Sequence, residues 1–337
     1  MSKLLLKSLL FLIILSSCAS TAHNSAGPSS QNKHVVNNTQ PISSSFNDVD
    51  TSFISPENFP TAQTPASLLD LPRTDEGAFV LSPGFYEADF KTYCLQPGTP
   101  APSKNDAYFQ APLIGARKDI IETILRNSQK KPQLEQKNVQ LLLWAVVSRT
   151  DFDRLSTEVQ LTAWQLLSSK QVFELRGGVL GVVKTAANVL PASTVQSDLQ
   201  HLFNVGNSSY RAYERLAVLN SPSEIKRPDF KRDQWYYHKD GYYIRYFPNS
   251  YQQTKIQLYV PTNAVDSTMG DSKHYILFDP VSFVVVPANS NAQRLGVGGP
   301  LHDVVKSVIH VIGTGNGNPQ PKKVPAVKSP QPIPTKQ

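Results

Sequence analysis

The chain of 337 residues holds two cysteines, Cys18 and Cys94, and seven histidines, and these are where covalent chemistry could start. A cysteine hydrolase needs a thiolate made by a neighbouring imidazole, with a third group to orient the ring. For Cys94 the available partners are His201, His238 and His274, and their spacing does not by itself bring any of them to it. The usual reading of such a lone cysteine is a small buried hydrophobe. Serine chemistry lacks its marks: there is no Gly-x-Ser-x-Gly elbow and no Ser-x-x-Lys with its companion motifs. Gly177-Gly178 and Gly298-Gly299 lack the lysine or helix-opening context of a phosphate loop. The carboxylate pairs Glu87 with Asp89 and Asp151 with Asp153 have no diagnostic spacing, and Asp153 suits the dipole of a helix start. No Cys/His spacing of the zinc-binding kind occurs, so neither metal nor cofactor is expected.

The elements that would position such residues change character along the chain. Leu81 to Pro112 is dense in turn formers and aromatics and reads as a loop segment with room for one short helix or strand between Tyr86 and Leu95. Helices follow. Ile120, Ile121, Ile124 and Leu125 form one stripe, opposite Lys118, Glu122 and Arg126 four apart. Gln136 to Arg149 is apolar all round and belongs in the core, and Ser156 or Thr157 can cap a third helix carrying Val159, Ala163, Leu166 and Leu167. The apolar, glycine-rich run 177–183 reads as a helix packed closely on its neighbours, and 195–219 supplies further amphipathic helices.

Beyond Arg227-Pro228 the period becomes two. Trp235 to Tyr246 predicts a hairpin turning at Asp240-Gly241, with Trp235 opposite Tyr246 and Tyr237 opposite Ile244 on the core face. Tyr236, His238, Tyr243 and Arg245 would then share the outer, contacting face; an extra residue in the turn would shift this register. Ile256, Leu258 and Val260 alternate in a next strand, His274–Phe278 and Val281–Val286 suggest two more, and Asn289–Pro300 reads as a polar, glycine-rich loop.

The N-terminus carries Lys3 and Lys7, then Leu9 to Ile14, then Leu15-Ser16-Ser17-Cys18, in the order charged region, short apolar region and small residues before a cysteine. The apolar run falls short of the roughly 20 residues needed to span a bilayer. The block resembles the signal peptide and lipobox of bacterial lipoproteins. That resemblance implies cleavage before Cys18, a diacylglycerol on its thiol and acyl chains such as palmitate, two or three of which hold a protein firmly on a membrane. Ala19 stands where the family's inner-membrane retention signal places an aspartate, which favours the outer membrane. With Cys18 lipidated, Cys94 has no disulfide partner within the chain.

Without the signal the balance is 31 basic against 26 acidic residues, mildly basic and without the concentrated stripe that nucleic acid would require. The sequence therefore predicts a signal peptide at 1–17, a lipidated, disordered tether at 18–70, a mainly helical domain at 71–226 that opens on the aromatic loop segment, a β-rich domain at 227–313, and a disordered, basic, proline-rich tail at 314–337. The expected fold is α+β, a helical bundle-like region followed by a small antiparallel β-rich region. The expected function is that of a lipid-anchored, non-enzymatic envelope protein, part of a surface or secretion assembly, that binds another envelope protein through the loops at 81–112 and 289–300 and the hairpin face. Two alternatives stay open: a cell-wall-directed cysteine hydrolase using Cys94, and peptidoglycan binding through the basic tail.

Overall fold

The structure is a computed structural model and describes residues 41–42, 45–55, 63–178, 194–206, 209–221, 227, 229–264, 275–302, 308–309, 311–314 and 317–321. The signal, Cys18, His274, most of the 177–183 run and the tail beyond residue 321 lie outside the described residues.

Gly84–Cys94, read as part of a loop segment with room for one short helix or strand, is an 11-residue strand at the centre of a large sheet. The strands of that sheet are β1 Ile54–Ser55, β2 Ala66–Ser67, β3 Gly84–Cys94, β4 Tyr108–Pro112, β5 Trp235–His238, β6 Tyr242–Ser250, β7 Gln253–Val260, β8 Phe283–Pro287 and β9 Leu295–Pro300. Eight of them run antiparallel in the order β1-β5-β6-β7-β3-β9-β8-β4, and β2 adds to β3 in parallel, with Ala66 opposite Tyr86. This sheet overturns the expectation of a helical bundle followed by a small β region, because it draws strands from both ends of the chain. Ala88 of β3 faces Ile256 of β7, and Cys94 faces Leu295 of β9. The described residues fall in one compact unit, and its large sheet takes strands from both 71–226 and 227–313. The strand was hidden because its second half is buried on both faces: Tyr93, Cys94 and Leu95 are all inside, which erases the alternation that marks a half-buried strand.

The sheet curls until β6 returns toward β4. The Tyr246 hydroxyl donates to Gln110 Oε1 at 3.0 Å, and its ring lies 6.1 Å from Phe283. An aromatic core fills the hollow, with Phe79 5.9 Å from Phe90 and 6.0 Å from Phe278, and Tyr242 6.2 Å from Phe278. Phe79 and Phe278 arrive on a second, four-stranded sheet of Arg73–Thr74, Phe79–Leu81, Ile276–Phe278 and Val308–Ile309. Each large apolar side chain buried this way contributes about 1.5–3 kcal/mol.

Six α-helices occur among the described residues: α1 Lys118–Gln129, α2 Gln136–Ser148, α3 Thr157–Leu166, α4 Ser169–Leu175, α5 Thr194–Val205 and α6 Tyr210–Ala217. The first three stand where their stripes place them, and the Ser156 hydroxyl caps α3 by accepting from the Val159 N–H. Helix α1 lies across β9. A Cβ on Gly296 would meet Leu125 at 2.9 Å, and one on Gly299 would meet the Gln129 Cα at 3.2 Å. The glycines expected to make 289–300 a loop instead let a helix settle onto a strand.

Helix α2 ends the sheet in another way. Past the start of β7, strand β3 has a free edge, and Gln140 covers it by accepting from the Cys94 N–H at 2.8 Å and donating to the Cys94 carbonyl at 2.9 Å. One turn earlier, Gln136 donates to the carbonyls of Thr92 at 3.0 Å and Gln252 at 2.8 Å. Two side-chain amides thus replace the missing strand.

Part of the expected tether also belongs to the body. Phe46 is buried 5.1 Å from Phe230 and 6.3 Å from Phe109, Leu68 is fully buried, and Ile54 pairs with Tyr236. A low average hydrophobicity over 18–70 concealed a few apolar residues placed where sheet edges needed cover. At the other end, Gly317–Pro321, inside the segment read as tail, pairs antiparallel with Val311–Thr314.

Candidate functional site

The hairpin turns one residue wider than Asp240-Gly241 alone would give. His238 faces Tyr242, Tyr237 faces Tyr243 and Tyr236 faces Ile244, so Lys239, Asp240 and Gly241 form a three-residue loop. Gly241 takes φ +95°, and its N–H closes the turn on the His238 carbonyl at 2.9 Å. A glycine in this left-handed conformation is what a three-residue hairpin needs. The shift divides the expected contact set. Tyr236 and His238 turn to the inner face with Tyr242 and Ile244, while Tyr243 and Arg245 stay outside and are joined there by Trp235 and Tyr237.

The inner pair is structural. Burial lowers the His238 pKa, with Lys239 adding to and Asp240 opposing the shift. The ring stacks on Tyr242 at 4.6 Å, and its Nδ1 accepts from the Asp240 N–H at 3.3 Å. Burial likewise pushes the Tyr236 hydroxyl up to about 12, with Asp50 beside it and hydrogen-bonded through its backbone.

On the outer face a polar row crosses β5, β6, β7 and β3. The Arg245 guanidinium lies 4.2 Å over the Trp235 ring and 5.3 Å from that of Phe247. Its Nη1 donates to the Asp233 carbonyl at 3.1 Å, and its Nε donates to Gln257 Oε1 at 2.8 Å. Gln257 Nε2 donates to Glu87 Oε2 at 2.8 Å, and Lys255 Nζ to Glu87 Oε1 at 3.3 Å. Beside this row runs an aromatic one: Tyr237 is 5.0 Å from Tyr243 and 6.2 Å from Phe53, and Tyr243 is 6.2 Å from Tyr259. The polar row ends in an open groove of about 300 Å³ whose walls include Pro65, Ser67, Glu87, Asp89, Lys255 and His302.

Cys94 is elsewhere and is not placed as a nucleophile. It is fully buried, and burial pushes its thiol up to about 12 against the smaller pull of the Trp144 indole and the Gln96 backbone. His201 is exposed on α5, and His238 is committed to its turn. The loops proposed as contacts have become strands: Leu295 and Val297 are fully buried in β9, and Tyr108, Phe109 and Ala111 are buried in β4. Among the described residues no group of three or more His, Cys, Asp and Glu is placed to hold a metal ion.

Sequence reasoning reached Tyr243 and Arg245 and missed Trp235, Tyr237, Gln257, Glu87 and Lys255. The last three carry a signal, since Lys255, Gln257 and Tyr259 alternate with Ile256, Leu258 and Val260 and must face away from the core. Glu87 becomes legible only when β3 is paired with β7. Comparison with protein-family models, curated proteins and solved structures gives no match to this chain.

Proposed function

We propose that this chain is a lipid-anchored protein of a bacterial envelope, with the outer membrane favoured by Ala19, and that it works by binding another envelope protein through the outer face of β5, β6, β7 and β3. The observation that carries this reading is the row Trp235, Arg245, Gln257, Glu87 and Lys255. Its guanidinium is held over an aromatic ring and its carboxylate has both oxygens engaged, so the side chains are pre-organised in one arrangement. An arginine seated on a buried aromatic ring, with the half-buried Tyr237, Tyr243 and Tyr259 and a polar groove beside it, has the composition of a recognition surface whose ordering cost has already been met in the free protein. The lipobox supports the location, and the buried thiol favours binding over hydrolysis.

The test is cross-linking in cells with the native chain and with the double variant Arg245→Glu, Lys255→Glu. The variant should lose its protein adduct while its far-ultraviolet circular dichroism stays that of the folded native chain. Recovery of wall fragments alone, or an adduct indifferent to the variant, overturns the reading. Cys18→Ser should remove acyl labelling and release the protein from membranes.

A further inference from the structure

A second surface, on the helical side, has the opposite character. Leu161 is 56% exposed, Trp164 45% and Phe173 57%. Leu161 and Trp164 are three apart on α3, and so share a face of it. Phe173 stands on α4, three residues before Arg176. The Arg176 guanidinium lies 5.6 Å from the Trp164 ring and 5.3 Å from the Phe152 ring, and it pairs with Asp153 at 3.0 Å. Arg176 thus joins α4, which carries Phe173, to the exposed face of α3, so that the three exposed apolar side chains stand on two helices in contact with a cation between them.

The path of the chain indicates what faces this patch. The Pro41 carbonyl accepts from the Arg117 N–H at 2.9 Å, and a Cβ on Gly115 would sit 2.7 Å from both the Pro41 carbonyl oxygen and the Ile42 Cα. The N-terminal segment is thus seated at the start of α1. Arg117 is within electrostatic reach of Glu174, the neighbour of Phe173, and of Arg149. Gln171 of α4 donates to Thr123 of α1 at 2.8 Å, which sets α4 beside α1. The chain coming from Cys18 therefore enters the body next to the apolar patch. Twenty-three residue steps separate Cys18 from Pro41. A chain of that length spans at most about 80 Å.

We propose that Leu161, Trp164 and Phe173 dock onto a lipid bilayer, the one that receives the acyl chains of Cys18, so that the anchor and the patch together fix the orientation of the body. This rests on the lipid-anchor reading. An indole has an apolar body and a polar N–H, which suits the boundary between acyl chains and headgroups. Arg176, seated beside the Trp164 ring, is the cation placed to meet phosphate headgroups. Among the described residues no helix is long and apolar enough to cross a membrane, so the contact is interfacial.

The molecule supplies its own reporter. Of three tryptophans, Trp144 and Trp235 are fully buried, leaving Trp164 to sense lipid. The acylated full chain is placed in vesicles of phosphatidylethanolamine and phosphatidylglycerol, with and without brominated acyl chains. Bromine should quench the Trp164 share of the emission, and Trp164→Phe should remove that share. The variant Leu161→Glu, Phe173→Glu should abolish the quenching without changing the unfolding midpoint or acyl labelling. Equal emission with and without bromine overturns the docking. Protection of Trp164 from acrylamide without quenching by bromine also overturns it and assigns the patch to protein. Acyl labelling of the same samples scores the anchor separately: unlabelled protein removes the anchor reading, while the bromine measurement still decides the docking.

Discussion

Helix α2 and strand β3 lie against each other and share Gln136 and Gln140, yet their instructions sit at different ranges in the sequence. Residues 136–148 carry everything a buried helix needs within their own length, an unbroken apolar run with Gln at the turns that meet the sheet. Residues 84–94 are a strand because of β7 and β9, whose partner residues lie about 165 and 200 positions away. The helix can be recognised alone, whereas the strand exists only in company. Both nevertheless end in one core, with Trp144 and Phe90 fully buried in the same cluster.

That comparison predicts one cooperative transition despite two kinds of encoding. Trp144→Ala on the helix and Phe90→Ala in the curl should each cost about 3–5 kcal/mol, as large aromatic-to-alanine changes in cores do. Helical circular dichroism and near-ultraviolet signals should move to lower denaturant together in both variants. Separate midpoints for the two signals would show that helices and sheet are independent units.

A smaller effect should come from the seam. Gln140→Ala leaves the buried Cys94 N–H and carbonyl without partners, and each such group costs about 1–3 kcal/mol. Gln136→Ala frees two carbonyls at a partly exposed site, where water can replace the amide, so about 1 kcal/mol is expected. Urea unfolding of the two variants measures the order. Equal losses would mean that the amides do not act as a substitute strand.

How much could be read in advance follows the same division. The stripe of α1, the cap at Ser156 and the apolar wall of α2 are local, and the structure has them where the periodicity puts them. The two outer residues Tyr243 and Arg245 were also within reach, because alternation in β6 is clean. Tyr236 and His238 were misassigned by one residue of turn length, since Asp-Gly at a hairpin tip is compatible with two loop sizes and a unit shift exchanges the faces of one strand. Glu87 and Lys255, which end the polar row, meet only through the pairing of β3 with β7. The strap at 45–55 went unread because composition reports averages, and Phe46 and Ile54 act by position.

The smallest prediction concerns the two titratable groups at the junction of α1, α2 and β3. Burial pushes the Cys94 thiol and the Tyr93 hydroxyl each up to about 12, the latter against a hydrogen bond with Ser128. Both ionise more readily in the unfolded chain, near their ordinary values of 9.0 and 10.0. Their folded pKa values are raised, so this stability is fully present below the unfolded values and is lost as pH rises toward 12. At pH 9 the loss from Cys94 should be about 0.4 kcal/mol, and that from Tyr93 under about 0.1 kcal/mol. Urea titrations at pH 7, 8 and 9 on the native chain and on Cys94→Val should show the decline in the first and about half of it removed in the second, the remainder belonging to the buried tyrosines whose hydroxyls are likewise raised. A decline undiminished in Cys94→Val would place its origin elsewhere. A folded thiol that reacted with a disulfide reagent at pH 8 as fast as a free cysteine would contradict its burial and return Cys94 to the list of possible nucleophiles. Because the barrier to that reaction is the local opening of α2 from β3, Gln140→Ala should speed labelling of Cys94 in proportion to the stability it removes, which ties the chemistry of this buried thiol to the seam that hides it.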